Sequence, residues 1–272
     1  MSYNLQEIKN ILELHLDLGV DELFSSNPES LFEKTKGSIV VRRRKKDQEP
    51  EYKAPSSPLL LKTAQVVEEA NKLSQGIKTL EELRLAIESF QGSDLKKMAT
   101  NLVFGDGNPK ANIMIIGEAP GAEEDEQGLP FVGRSGQLLE TMFATIGLSR
   151  KTDLYITNII PYRPPGNRTP TAPEMSMFRP FILKHIELIS PDFVILVGAT
   201  SLKAIMNKDI QIATSHGNWL DLEIGGKKIQ AMPIYHPAYV LRSPLQKRVV
   251  WQDLLKMQEK ISQSQAGLKF GR

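Results

Sequence analysis

The chain contains no cysteine among its 272 residues. That absence excludes disulfides, thiolate zinc sites, thiol nucleophiles and iron–sulfur clusters held by cysteine. Histidine is scarce as well, and the four present are too scattered for zinc-type ligand spacing. No apolar run approaches the roughly 20 residues that a membrane span needs. The first ten residues carry Glu7 and no apolar stretch after a basic start, which argues against a secretion signal. Charge of one sign is also lacking: 34 Lys and Arg face 32 Asp and Glu, a net charge of +2. A balance so mild does not announce a nucleic-acid partner, so that reading must rest on where the charges sit. What remains is the expectation of a cytoplasmic, monomeric protein without metal, cofactor or membrane contact, long enough to bury a sizeable core.

Residues 4–18 read as an amphipathic helix, with Leu5, Ile8, Leu12 and Leu16 on one face and Gly19 placed to end it. From Lys36 to Pro58 the composition changes to the basic run Arg42–Lys46 followed by a polar, proline-rich segment. Such a stretch buries little apolar surface and reads as a linker. The basic run is either a solvated loop or a non-specific phosphate contact. The expected division is therefore a helical extension and linker over 1–58 and a folded domain over 59–272. Two helices are predicted at 59–75 and 79–90, the second with Thr79 and Glu82 spaced as a capping box. From residue 112, short apolar runs (Ile113–Ile116, Leu154–Ile160, Phe193–Val197, Ile229–Ile234) alternate with helical stretches. That alternation predicts an α/β fold with a central, mostly parallel four-stranded sheet and helices on both faces.

In an open α/β sheet, ligands bind beyond the carboxyl ends of the strands. The first predicted strand leads into Gly117-Glu118-Ala119-Pro120-Gly121, then Glu123, Glu124 and Asp125, then Phe131. The second contains Asn158 and runs into Arg163-Pro164-Pro165-Gly166-Asn167-Arg168. The third ends in Gly198-Ala199-Thr200-Ser201, and the fourth in His236-Pro237-Ala238-Tyr239-Val240-Leu241-Arg242. Singly, each has a plain structural explanation: a turn, a backbone-bonded amide, a rigid loop, a buried histidine. Together at one sheet edge they look like a site. The glycine loop lacks both the Walker lysine and a G-x-G-x-x-G pattern, which disfavours nucleotide-phosphate binding.

These three segments, GEAPGAEEDEQGLPFVGRSGQLL, TNIIPYRPPGNRTPT and HPAYVLR, resemble the family 4 uracil-DNA glycosylases, over about residues 90–256. The resemblance implies a uracil-DNA glycosylase-like α/β fold. It also implies hydrolysis of the base–sugar bond of deoxyuridine in DNA, leaving an abasic site. By that resemblance Phe131 offers a flat face to the uracil ring, and Asn158 reads the edge of the base. His236 faces uracil O2, where a donor stabilises the departing anion. Glu118 positions the attacking water or the oxocarbenium-like centre, Glu124 matches a second acidic, catalytic position, and Gly117, Ala119 and Gly121 let backbone approach the base. Arg163, Pro164, Pro165, Asn167, Arg168, Thr200 and Ser201 resemble loops that pinch phosphates. Val240, Leu241 and Arg242 resemble the wedge that fills the gap left by a flipped base. Two rival readings stay open: excision of another deaminated base such as hypoxanthine or xanthine, and a non-catalytic DNA-binding scaffold.

The sequence departs from the pattern at one place. Family 4 members carry a 4Fe–4S cluster on four cysteines, and alignment puts those positions at Phe90, Ser93, Tyr162 and Phe178. Three rings and a hydroxyl predict an apolar plug, with Phe90, Tyr162 and Phe178 against one another near Ser93. The segment Arg134-Ser135-Gly136-Gln137 lacks the basic, histidine-bearing insertion of the branch that links covalently to DNA, which favours ordinary turnover.

Overall fold

The structure, a computed structural model, describes residues 58–264. The helix expected at 4–18 and the basic run Arg42–Lys46 lie outside the described residues. Three helices come first: α1 (Pro58–Ser74), α2 (Leu80–Ser89) and the short α3 (Leu95–Met98). Strands β1 (Asp106–Gly107) and β2 (Ile113–Gly117) precede α4 (Ala122–Gln127) and α5 (Arg134–Ala144). After β3 (Leu154–Asn158) come a 3-10 turn at Pro165–Asn167 and the long α6 (Ala172–Ile189). Then follow β4 (Phe193–Val197), α7 (Ala199–Met206), α8 (Ile212–Ser215), β5 (Leu220–Ile224) and β6 (Lys227–Ile234). The last elements are α9 (Pro237–Arg242), a 3-10 turn at Pro244–Gln246 and α10 (Lys247–Gln263). Among the described residues no helix is long and apolar enough to cross a membrane.

Local chemistry starts the helices where the sequence places them. Thr79 accepts from the Glu82 N–H at 3.1 Å while the Glu82 carboxylate accepts from the Thr79 N–H, closing the expected capping box on α2. Thr171 and Glu174 close a second box on α6. Each box satisfies N–H groups that the first helical turn leaves unpaired.

The sheet runs β1-β3-β2-β4-β6-β5. Its centre is the four expected strands, paired in parallel. Two antiparallel edge strands extend it to six. Of these, β1 is two residues long, too short to show a period. By contrast β5 forms a hairpin with β6 across Gly225-Gly226, both at positive φ, the conformation a two-residue hairpin turn requires.

Every residue of β2, β3 and β4 is buried, as a sheet covered on both faces demands. Alternate side chains feed two cores. Met114 and Ile116 join Ala70, Leu83, Phe178 and Leu202 from α1, α2, α6 and α7. Ile113 and Ile115 join Leu139, Val240, Val250 and Leu254 from α5, α9 and α10. With four central strands parallel and fixed in register, their carboxyl ends gather the four expected segments at one edge.

Candidate active site

The chain leaves β2 toward β3 on one side and later returns to β4 on the other, so β2 and β4 flank the point where strand order reverses. Open α/β sheets form their crevice there. A hydrogen bond spans it: the Thr200 hydroxyl, just past β4, donates to Glu118, just past β2, at 2.5 Å. Burial raises the Glu118 pKa above its ordinary value, and the Thr200 hydrogen bond only partly opposes that. A desolvated carboxylate with one partner is a better proton acceptor than a solvated one.

Gly117 stands opposite Asn158 in the parallel register. A Cβ on Gly117 would collide with Asn158 Oδ1 and with the edge of the Phe131 ring, so only glycine lets the amide and the ring meet there. Asn158 is 5 % exposed, yet its side-chain amide makes no hydrogen bond among the described residues. An amide in a largely buried residue with no partner in the protein keeps its hydrogen bonds open for a ligand. Phe131, also buried, holds the left-handed conformation at φ +53°, uncommon for an aromatic residue. Its ring lies 5.9 Å from that of His236 at 29°.

His236 caps α9. Its Nδ1 accepts from the Ala238 N–H at 3.1 Å, which places the proton of the neutral ring on Nε2. Burial, followed by the Arg242 charge, lowers its pKa to about 4 against a partial pull upward from Glu124. The ring is therefore neutral at pH 7, with an Nε2–H donor. Gly198, at φ +92°, packs its Cα against the His236 side chain.

Residues 104–255 match the uracil DNA glycosylase superfamily. The chain belongs to that superfamily. It is 42 % identical over 160 residues to a type-4 uracil-DNA glycosylase of Thermotoga maritima, covering 58 % of this chain and 81 % of the relative. It is 38 % identical over 196 residues to a type-4 uracil-DNA glycosylase of Archaeoglobus fulgidus, covering 71 % of this chain and 98 % of the relative. A DNA polymerase of Bacillus phage SP01 matches at 33 % identity over 150 residues, which is 55 % of this chain but 16 % of that protein.

Several residues expected from the superfamily resemblance stand elsewhere than expected. Glu124, expected to be catalytic, has both carboxylate oxygens taken by backbone: Oε2 accepts from Gly121 N–H, and Oε1 from Val132 and Gly133 N–H at 3.1 and 2.9 Å. It is a staple between the two halves of the loop, unlike Glu118, which bonds a single hydroxyl. Asp125 is buried and accepts from the Thr100 and Asn101 N–H groups. Thr200 faces Glu118, and Ser201 is wholly buried with its hydroxyl on Gly198 C=O, so neither hydroxyl faces outward for a phosphate. Val240 lies in the core rather than in a wedge, Leu241 is half-buried and Arg242 is exposed. The exposed apolar side chain is Leu245, 90 % exposed in the 3-10 turn after α9. A leucine between Pro244 and polar neighbours was the available signal for it.

In the proline-rich loop, Pro164 is buried and Pro165 to Arg168 are exposed. Arg163 Nε donates to Asn167 Oδ1 at 2.7 Å. Arg168 makes a two-pronged pair with Glu174 at 2.8 and 2.6 Å, which holds that carboxyl down at about pKa 2. Both guanidiniums are thus oriented in advance, Arg168 at the expense of a carboxylate competitor.

The cluster positions do not fit an iron–sulfur cluster. Phe90 meets Phe178 edge-on at 5.8 Å, Tyr162 lies 6.2 Å from Phe178, and Phe181 joins at 5.2 Å from Phe90. Rings fill the space, with Phe178 meeting both Phe90 and Tyr162 as the plug reading expects. Ser93 accepts from the Leu95 N–H at the start of α3.

Proposed function

We propose that the chain is a monofunctional uracil-DNA glycosylase of the type-4 kind without a cluster, its domain spanning 59–272 with 1–58 as an extension. The observation that carries this is the unpartnered Asn158 amide held with the Phe131 ring over Gly117. An amide there accepts from uracil N3–H and donates to O4, whereas cytosine presents the opposite pattern and is mismatched twice. The base is unstacked from DNA and lies against the Phe131 face. As the C1′–N1 bond breaks, its electron pair passes to the uracil ring, and the His236 Nε2–H stabilises the charge at O2. Water attacks C1′, and Glu118 takes its proton. The proton that Glu118 took passes through solvent to the uracil anion, so the products are uracil and an abasic site, with no covalent enzyme intermediate.

DNA is held at the same edge. The outward groups of Arg163, Pro165, Asn167 and Arg168, and the first-turn N–H groups of α7, face phosphates. Leu245, with Leu241 behind it, is the side chain that enters the gap left by the flipped base. The protein acts as a monomer in the cytoplasm.

The test is release of base from oligonucleotides carrying one uracil, hypoxanthine or xanthine. Uracil alone is expected to leave, and Asn158→Ala is expected to slow release about 10²–10³-fold with DNA affinity nearly unchanged. Hypoxanthine presents a similar N–H and C=O edge, so its preferential release would shift the specificity to that base. Unchanged uracil release by Asn158→Ala would falsify the pocket.

A further inference from the structure

We infer that Arg150 is the positioning residue for the aromatic face of the pocket, an inference that rests on Phe131 being that face. Arg150 lies in the turn between α5 and β3, nineteen residues after Phe131. Its guanidinium reaches back to two successive carbonyls: Nη1 donates to Pro130 C=O at 2.8 Å and Nη2 to Phe131 C=O at 2.5 Å. Nη1 also donates to Asp106 Oδ2 at 2.9 Å, and Glu140 Oε1 lies 2.6 Å from Nε. The Nε–H is not aimed at that oxygen, so the Glu140 contact is an ion pair rather than a hydrogen bond.

The arrangement is a clamp. Two carboxylates, one on edge strand β1 and one on α5, fix a guanidinium whose side chain is 12 % exposed. The guanidinium in turn fixes the two carbonyls that flank the left-handed Phe131. Gly136 in α5 closes the other side, since a Cβ there would collide with the Phe131 backbone. An aromatic residue leaves the left-handed region unless its surroundings hold it there. Arginine alone among the basic residues offers a planar fork that can serve two carbonyls and a carboxylate together. Glu124 ties the next two N–H groups, Val132 and Gly133, to the Gly121 loop. Phe131 is thus anchored by its carbonyls to one clamp and by the following N–H groups to another. Only the Arg150 clamp acts on the residue itself.

Single-turnover uracil release, DNA affinity and the thermal midpoint are to be measured for wild type, Arg150→Lys, Phe131→Ala and the double variant. Arg150→Lys is expected to slow release about ten-fold or more with DNA affinity within about two-fold, since a displaced reacting group costs rate before binding. In the Phe131→Ala background the same change is expected to slow release by less than about two-fold, the non-additivity of residues that act through one another. Wild-type release by Arg150→Lys, or equal slowing in both backgrounds, overturns the clamp. Full release by Phe131→Ala overturns instead the stacking role on which the clamp rests. Should Arg150→Lys fail to fold, Asp106→Asn and Glu140→Gln loosen the guanidinium from its outer side. Slowing that vanishes when Phe131 is alanine supports the clamp, and equal or absent slowing in both backgrounds overturns it.

Discussion

The half-buried side chains at the carboxyl edge of the sheet and the buried aromatic cluster around α6 are held by different physics. At the edge, three polar side chains are fixed by directional bonds: Glu118 by Thr200, Glu124 by three N–H groups, His236 by its own helix cap. Around α6, Phe90, Phe178, Phe181 and Tyr162 are fixed by ring shape and edge-to-face contact. The Tyr162 hydroxyl finds no partner there among the described residues, and burial together with nearby Glu88 pushes its pKa up to about 12. The edge therefore tolerates little change of chemistry, and the cluster little change of volume.

The comparison breaks most sharply at Phe178. Phe178→Ala is expected to cost about 3–5 kcal/mol in denaturant unfolding, the cavity cost of a buried ring, while the folded fraction keeps its rate of uracil release. A rate loss in folded protein would mean that the cluster reaches the site. The next test sets the two carboxylates of one loop against each other. Glu124→Gln puts an NH₂ where backbone N–H groups donate and is expected to lose about 1–3 kcal/mol. Glu118→Gln keeps the Thr200 bond and sheds a desolvated charge, so its stability is expected to hold while release slows about 10²-fold. If the two changes trade these outcomes, the assignment of catalyst and staple is reversed.

The third test is one of pH. His236 titrates near 4 when folded and near 6.5 when unfolded. Between those values the unfolded chain binds the extra proton, so this residue's contribution is present above 6.5 and is lost as pH falls toward 4. His185, buried against Tyr155 and lowered to about 3 by burial, acts in the same direction. Glu118 and Asp253, both raised by burial, act in the opposite one. Comparing wild type with His236→Asn cancels the rest. The variant is expected to lose about 2–3 kcal/mol less between pH 6.5 and 4. Equal losses would show that the ring is solvated.

The four parallel strands and the residues at their ends were legible in the sequence because continuous apolar runs and loop composition are local signals. Gly117, Phe131, Asn158 and His236 stand together as that reading expected. What was not legible depends on distance and direction. Glu118 and Glu124 look alike in sequence, and only the donors around each tell them apart: one hydroxyl for the first, three backbone N–H groups for the second. Val240 and Leu245 are both apolar residues after the histidine, and helix phase alone sends the first inward. Arg150 has no local mark at all, since its partners lie 44, 20, 19 and 10 residues away in the chain.

The cap that His236 places on α9 has a consequence beyond the tautomer. One nitrogen of the ring is the first acceptor of a helix, so the position of the Nε2 proton and the direction of the following chain are decided by the same bond. Protonating Nδ1 would remove the acceptor and unpin the turn that carries Leu241, Arg242 and, beyond it, Leu245. On the proposed function, the group that would meet the leaving base and the side chain that would occupy its place in the duplex are joined through one helix cap.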